Sequence, residues 1–418
     1  MEDNPAVALF LALGIIIIAS RVGGAIARRF KQPRVLGELI IGVVLGPTVL
    51  NALHWSVFHG VELENTIKEL AELGVLLLMF MIGLEVNVRE LLKVGRVAVF
   101  AGIAGAVLPI AIALPITMLF DYGWQPSLFA GVTLAATSVS ISAQVLLELG
   151  FLRTKEGNAL LATALIDDVL AILLVSLTIA VVGGGESESG GIGDLIIIMV
   201  RMFAYIGIAF SVAWFILPRF MTWLEKRPEL SQSYGIPATA LILALLFGWS
   251  AEEFGGVATI TGAFIAGVGL SQSKANIKHE IEEATSYIAY AFLVPIFFVD
   301  VGLGIDLNPF PISAIPLAGV LLVVALISKV GGCGVGAKLG GFTNGESFRV
   351  GVCMISRGEV GLIIASLGIS SGILQTGTEA GFDLYASLFL VILLTTLLTP
   401  ILVRLVFSHD SEAVRVGE

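Results

Sequence analysis

Apolar stretches of about 20 residues follow one another along almost the whole chain, each long enough to cross the hydrocarbon core of a bilayer as a helix. Thirteen fit, near 6–27, 35–52, 67–86, 96–120, 126–149, 157–182, 194–218, 234–253, 257–272, 281–304, 312–338, 346–373 and 383–407. Backbone N–H and C=O groups inside lipid have to be satisfied within the protein, so the expected fold is an all-α polytopic membrane protein. With 57% hydrophobic and 13% charged residues and a mean hydropathy of +0.98, no stretch is left for a soluble domain, whether enzymatic or nucleic-acid-binding. Cys333 and Cys353 both sit in apolar segments and offer neither a disulfide framework nor a metal site.

The cations orient the bundle. The first apolar stretch follows acidic residues, and Arg28, Arg29, Lys31 and Arg34 come after it, so it reads as an anchored helix with its N-terminus outside, not as a signal peptide. Thirteen spans from that start put the C-terminus in the cytoplasm of a cell (inner) membrane protein, with 18 of the 23 Lys and Arg in cytoplasmic segments. A miscount by one helix would scramble that bias from the error onward, which makes the distribution a test of the topology.

Weak internal repeats point to the architecture. Gly37-Glu38-Leu39-Ile40-Ile41-Gly42-Val43 recurs as Gly262-Ala263-Phe264-Ile265-Ala266-Gly267-Val268, and Gly83 and Gly131 recur as Gly302 and Gly351, all at offsets of 219 to 225. That offset equals seven helices, an odd number that inverts the second copy. The expected organisation is a first repeat over 1–193 with a core part at 96–182, a linker helix at 194–218, and a second, inverted repeat over 219–418 with a core part at 312–407. Secondary transporters built this way bind substrate near the midplane, between the repeats.

Ionisable residues inside apolar segments cost at least about 2.5–3.5 kcal/mol each on insertion scales, so they are functional candidates by default. The short list is Asp167, Asp168, Lys329, Arg357 and Glu359. Asp167 lies roughly 15 Å into its segment and Lys329 roughly 13–14 Å from the same surface, so both reach the middle. Neighbours on a helix diverge by about 100°, so the two carboxylates need different tasks: one to pair with Lys329, the other to face a cavity and take the ion. Spacing leaves open which does which. Two segments carry polar or flexible interruptions at the same level, Ala136-Thr137-Ser138-Val139-Ser140 and Ser356-Arg357-Gly358-Glu359-Val360-Gly361, and read as broken helices whose backbone ends can serve a cation. The run Gly331-Gly332-Cys333-Gly334-Val335-Gly336 lacks the strand and soluble helix of a dinucleotide loop and reads as close helix packing. Asp300 lies near the outer end of its segment, where it reads equally as lining the external entrance or as an interfacial carboxylate within reach of water.

At these residues the chain resembles the monovalent cation:proton antiporter-2 family, and within it bacterial sodium/proton antiporters of the NapA type. The matching segments are Val35-Leu36-Gly37-Glu38 with Gly46-Pro47, Gly83-Leu84-Glu85, Asp167-Asp168, Phe297-Phe298 with Gly302, Lys329, and Arg357-Gly358-Glu359. The resemblance implies that Asp168 binds Na⁺ or the proton, that Asp167 pairs with Lys329, and that the protein is a homodimer with an elevator-like core. Asp300 departs from it, standing where relatives have a small residue.

The expected activity is exchange of Na⁺ or Li⁺ for H⁺, electrogenic, with no cofactor beyond the transported ions. A K⁺/H⁺ antiporter on the same fold and a sodium-coupled organic anion symporter are the rival readings. A nucleophile, base and orienting group at workable spacing are not found, which argues against an enzyme.

Overall fold

The computed structural model describes residues 5–58, 63–86, 88–182, 192–306, 311–370, 373–374 and 379–415. The described residues form helices and turns, with no strand among them. In chain order the helices are α1 (Pro5–Arg29), α2 (Arg34–Leu45), α3 (Leu63–Glu85), α4 (Val88–Lys93), α5 (Gly95–Leu119), α6 (Trp124–Ala135) and α7 (Val139–Leu149). There follow α8 (Lys155–Val182), α9 (Ile192–Phe215), α10 (Leu217–Glu225), α11 (Pro228–Ser231), α12 (Gly235–Ser250) and α13 (Thr259–Leu270). The last are α14 (Ala275–Ile288), α15 (Val294–Leu303), α16 (Ala314–Leu339), α17 (Asn344–Cys353), α18 (Glu359–Ser370) and α19 (Glu379–Arg415).

Nine helical segments among the described residues are long and apolar enough to cross a membrane, and they coincide with nine of the thirteen expected spans. The chain is a multi-pass membrane protein. The other four expected spans differ for local reasons. α2 stops at Leu45 because Gly46 turns extended and Pro47 cannot continue a helix. α13 has only 12 residues, α3 starts with charged residues, and 346–373 is interrupted. Helix ends carry familiar signals: Thr343 and Glu346 form a reciprocal capping box at the start of α17, and Gly150 ends α7 at φ 79°.

Burial separates lipid-facing helices from interior ones. In an apolar 18-residue window of Ile196–Glu225 only 17% of the residues are buried, against 94% in such a window of Trp124–Leu149. On the first, exposed Phe203, Ile208 and Phe215 are what a bilayer solvates.

The chain divides into two compact units, Met1–Val88 with Arg201–Asn308, and Arg89–Val200 with Pro309–Glu418. In the first, helices approach through glycine. A Cβ on Gly83 of α3 would lie 2.4 Å from the Phe264 carbonyl oxygen of α13, and one on Gly42 of α2 would lie 2.3 Å from the Val299 carbonyl oxygen of α15. In the second, the glycine run of α16 lets the backbone of α5 come close: a Cβ on Gly336 would sit 2.3 Å from the Phe100 carbonyl oxygen. Small residues at such contacts are the usual means of packing helices in lipid.

Gly83→Leu therefore has no space to enter without moving α13. Overpacking costs about 1–3 kcal/mol, and the substitution is expected to lower the melting temperature of the detergent-solubilised protein, while Gly14→Leu, at a position with open space around it, leaves it unchanged.

Candidate functional site

All the ionisable residues picked out in apolar segments except Asp300, together with Thr137 and Ser138, belong to the unit Arg89–Val200 with Pro309–Glu418. α8 carries Asp167 about 18 Å from its start, and α16 carries Lys329 about 15 Å from its end. Lys329 Nζ donates to Asp167 Oδ1 across 3.0 Å. The ammonium is fully buried and the carboxylate is 2% exposed. Asp168, one residue on and turned about 100° away, is half-buried.

Both expected helix breaks are present. α6 ends at Ala135 and α7 begins at Val139, while α17 ends at Cys353 and α18 begins at Glu359. The second break thus covers 354–358 and lies slightly before the stretch 356–361 read from the sequence, because Glu359 already starts a helix. The two unwound segments meet: the Ser138 N–H donates to the Ser356 carbonyl at 2.9 Å.

Unwinding frees carbonyls that lipid cannot solvate, and side chains take them up. Arg357, fully buried, donates from Nε and Nη2 to the Leu134 carbonyl in the last turn of α6, at 2.9 and 2.7 Å. Its Nη2 also reaches the Ala325 carbonyl of α16 at 3.2 Å, and its Nη1 the Ile355 carbonyl at 2.9 Å. A guanidinium at the C-terminal end of α6 is where the helix dipole favours a cation. Ser142 of α7 donates to the Cys353 carbonyl at 2.6 Å, and Thr396 of α19 to the Arg357 carbonyl at 2.6 Å.

Some oxygens remain over. Asp167 Oδ2 and the hydroxyls of Thr137, Thr163 and Ser356 are buried with no hydrogen-bond partner among the described residues. Oxygens of this kind, near freed backbone and a half-buried carboxylate, can exchange a hydrated monovalent cation and a proton, which is the chemistry of discontinuous-helix transport sites.

Two candidates stand apart. Glu359 is the first residue of α18, but its side chain lies outside the described residues. Asp300 belongs to α15 in the other unit, within electrostatic reach of Lys68, Glu72 and Glu64 of α3. Sequence reading passed over Thr163, Ser142 and Thr396. Thr163 was findable, since it lies four residues before Asp167 on the same helix face; so was Thr396, in the hydroxyl run Thr395-Thr396 with Thr399 inside an apolar helix. The carbonyls of Leu134 and Ala325 carry no side-chain signal.

Breaking a buried ion pair from one side strands a charge, at about 3–5 kcal/mol. Lys329→Ala is expected to cost that much in thermal unfolding, and the double variant Asp167→Asn/Lys329→Met clearly less than the two single costs combined. Additive costs would mean that the pair is not coupled in the folded protein.

Comparison with known proteins agrees with this geometry. The family described as "Sodium/hydrogen exchanger, transmembrane" matches residues 15–408. The chain is 33% identical to the Na⁺/H⁺-K⁺ antiporter GerN of Bacillus cereus, over 98% of this chain and 99% of that one. It is 32% identical to an Na⁺/H⁺ antiporter of Enterococcus hirae, over 94% and 96% of the respective chains. The structure of the sodium proton antiporter MjNhaP1 from Methanocaldococcus jannaschii superposes with a TM-score of 0.63 at 16% identity, covering 97% of this chain and 98% of that one, and so shares the fold. With the family matched over nearly its whole length, the chain belongs to the transmembrane sodium/hydrogen exchanger family.

Proposed function

We propose that this protein exchanges Na⁺ or Li⁺ for H⁺ by alternating access, with Asp168 as the residue that takes the ion or the proton. The observation that carries the reading is the half-buried Asp168 beside a buried Asp167–Lys329 pair. Asp167 has its partner in Lys329, and Asp168 is the more accessible of the two carboxylates.

The coupling follows from charge. With Na⁺ or H⁺ bound, the Asp168 site is neutral; empty, it holds a net negative charge whose passage through a low-dielectric interior is costly. Only the loaded site reorients, and the two ions compete for it, which produces exchange. The unit Arg89–Val200 with Pro309–Glu418 holds every group of the site, and this supports its moving as one body with the ion. Thr137, Ser138, Arg357 and Glu359 shape the broken-helix core. Electrogenic exchange would need a second proton per cycle, from Asp167 or Lys329.

The finer architecture belongs to this proposal: thirteen spans, two inverted six-helix repeats over 1–193 and 219–418 joined by the linker helix at 194–218, an outside N-terminus, a cytoplasmic C-terminus, and a homodimer of the NapA type. Reciprocal packing supports the repeats. A Cβ on Gly302 would meet the Leu39 carbonyl, and one on Gly83 the Phe264 carbonyl; Gly42 faces the Val299 carbonyl and Gly267 the Phe80 carbonyl. Each contact is the image of another under the repeat offset. The second unit repeats the pattern, with Gly131 against Ile110 and Gly351 against Val330, both members offset by 220.

Proton flux in proteoliposomes under an imposed pH gradient tests the function. Na⁺ and Li⁺ are expected to dissipate the gradient, and Asp168→Asn to abolish the response with folding intact. Retained exchange in that variant would remove Asp168 from the role. A response to K⁺ alone would favour K⁺/H⁺ exchange, a reading that the printed name of the Bacillus cereus relative keeps open.

A further inference from the structure

The segment Ile196–Glu225 is apolar and helical over 30 residues, about 45 Å at 1.5 Å per residue, against a hydrocarbon core of about 30 Å. Its last turns, in α10, therefore extend into the headgroup layer. There the sequence changes character. Phe215, Arg219, Thr222 and Lys226 recur at spacings of four, three and four, so one face carries an aromatic ring, then a guanidinium, a hydroxyl and an ammonium. Trp214 and Trp223 flank that face, and together these residues line a groove of about 590 Å³.

Charge and polarity in the groove are ordered along it. Arg219 and Lys226 are exposed, as are the rings of Trp214, Phe215 and Trp223. Arg219 donates from Nη1 to the Phe215 carbonyl, which uses one of its five N–H donors and fixes the guanidinium beside the groove. Arg227 adds a third cation, 5.4 Å above the Trp223 ring. Glu225 is engaged by Lys274 at 2.6 Å and Asn276 at 2.5 Å, and Glu229 follows Arg227 in the chain; the cations Arg219, Lys226, Arg227 and Lys274 still outnumber these two acids.

We propose that this groove binds the phosphate headgroup of an anionic phospholipid, with Arg219 and Lys226 on the phosphate, Thr222 held to the Pro218 carbonyl at 2.8 Å, and Trp214 and Phe215 against the start of the acyl chains. Charge complementarity selects an anion over a zwitterion, since juxtamembrane cations attract anionic lipid. Exposed Ile197, Ile208 and Phe215, spaced eleven and seven residues apart, share one face of α9 that continues from the groove as a track for a hydrocarbon tail, which a soluble phosphate would not use. Tryptophans at headgroup level are characteristic of the interface. The groove belongs to the unit Met1–Val88 with Arg201–Asn308, which contains none of the ion-exchange residues, and does not depend on their assignment.

The test uses the full chain, delipidated in detergent, titrated with phosphatidylglycerol bearing brominated acyl chains. Two of the five tryptophans line the groove, so the readout is quenching of their fluorescence. Phosphatidylglycerol is expected to quench at a concentration about tenfold or more below that of brominated phosphatidylcholine, and Arg219→Gln/Lys226→Gln to erase that preference without changing the lipid-free melting profile. Trp214→Phe/Trp223→Phe is expected to remove the preferential quenching and so place it in the groove. Equal quenching by both lipids, or a preference that survives the double Gln variant, would overturn the proposal. Full competition by millimolar inorganic phosphate would reassign the groove to a soluble anion, and a dimer that lipid neither quenches nor perturbs would reassign it to a second copy of the chain.

Discussion

A carboxylate and an ammonium, both shut away from solvent and 3.0 Å apart, set the terms for the unit around them. Neither charge is tolerable alone in that environment, and their mutual attraction offsets desolvation only when the geometry is held. Holding it fixes α8 and α16 against each other at the level of the helix breaks. The close glycine packing of α16 on α5 then becomes a requirement, because a bulkier seam would move Lys329 off its partner.

The broken helices present the same problem in neutral form. Unwinding 136–138 and 354–358 exposes carbonyls and amides where lipid offers them nothing, and the protein answers with Arg357, Ser142, Thr396 and the mutual Ser138–Ser356 bond. The carbonyls of Leu134, Cys353, Ile355, Ser356 and Arg357 are taken up in this way. The hydroxyls of Thr137, Thr163 and Ser356 and one oxygen of Asp167 are buried with no hydrogen-bond partner among the described residues, in the unit that contains Asp168. Selective binding of a small cation fits such a setting, where most donors are immobilised and a few are left to exchange.

Much of this was legible in residue order because lipid makes errors expensive. Asp167, Lys329 and Arg357 stand out against apolar surroundings, and the interruptions at Thr137-Ser138 and Arg357-Gly358 are visible as polar residues where a helix should be uniformly apolar. Less legible was anything resting on backbone atoms. The exact limit of the second break depends on Glu359 starting a helix, and the targets of Arg357 are carbonyls of Leu134, Ile355 and Ala325, which no side chain announces.

The backbone bond from Ser138 to Ser356 joins segments more than 200 residues apart. Its register depends on the length of α6 and of α17, so inserting or deleting one residue in either arm would rotate one break by about 100° relative to the other. In heritable terms the two breaks are a single object: drift in composition is open to each arm separately, but drift in length is closed unless both change together.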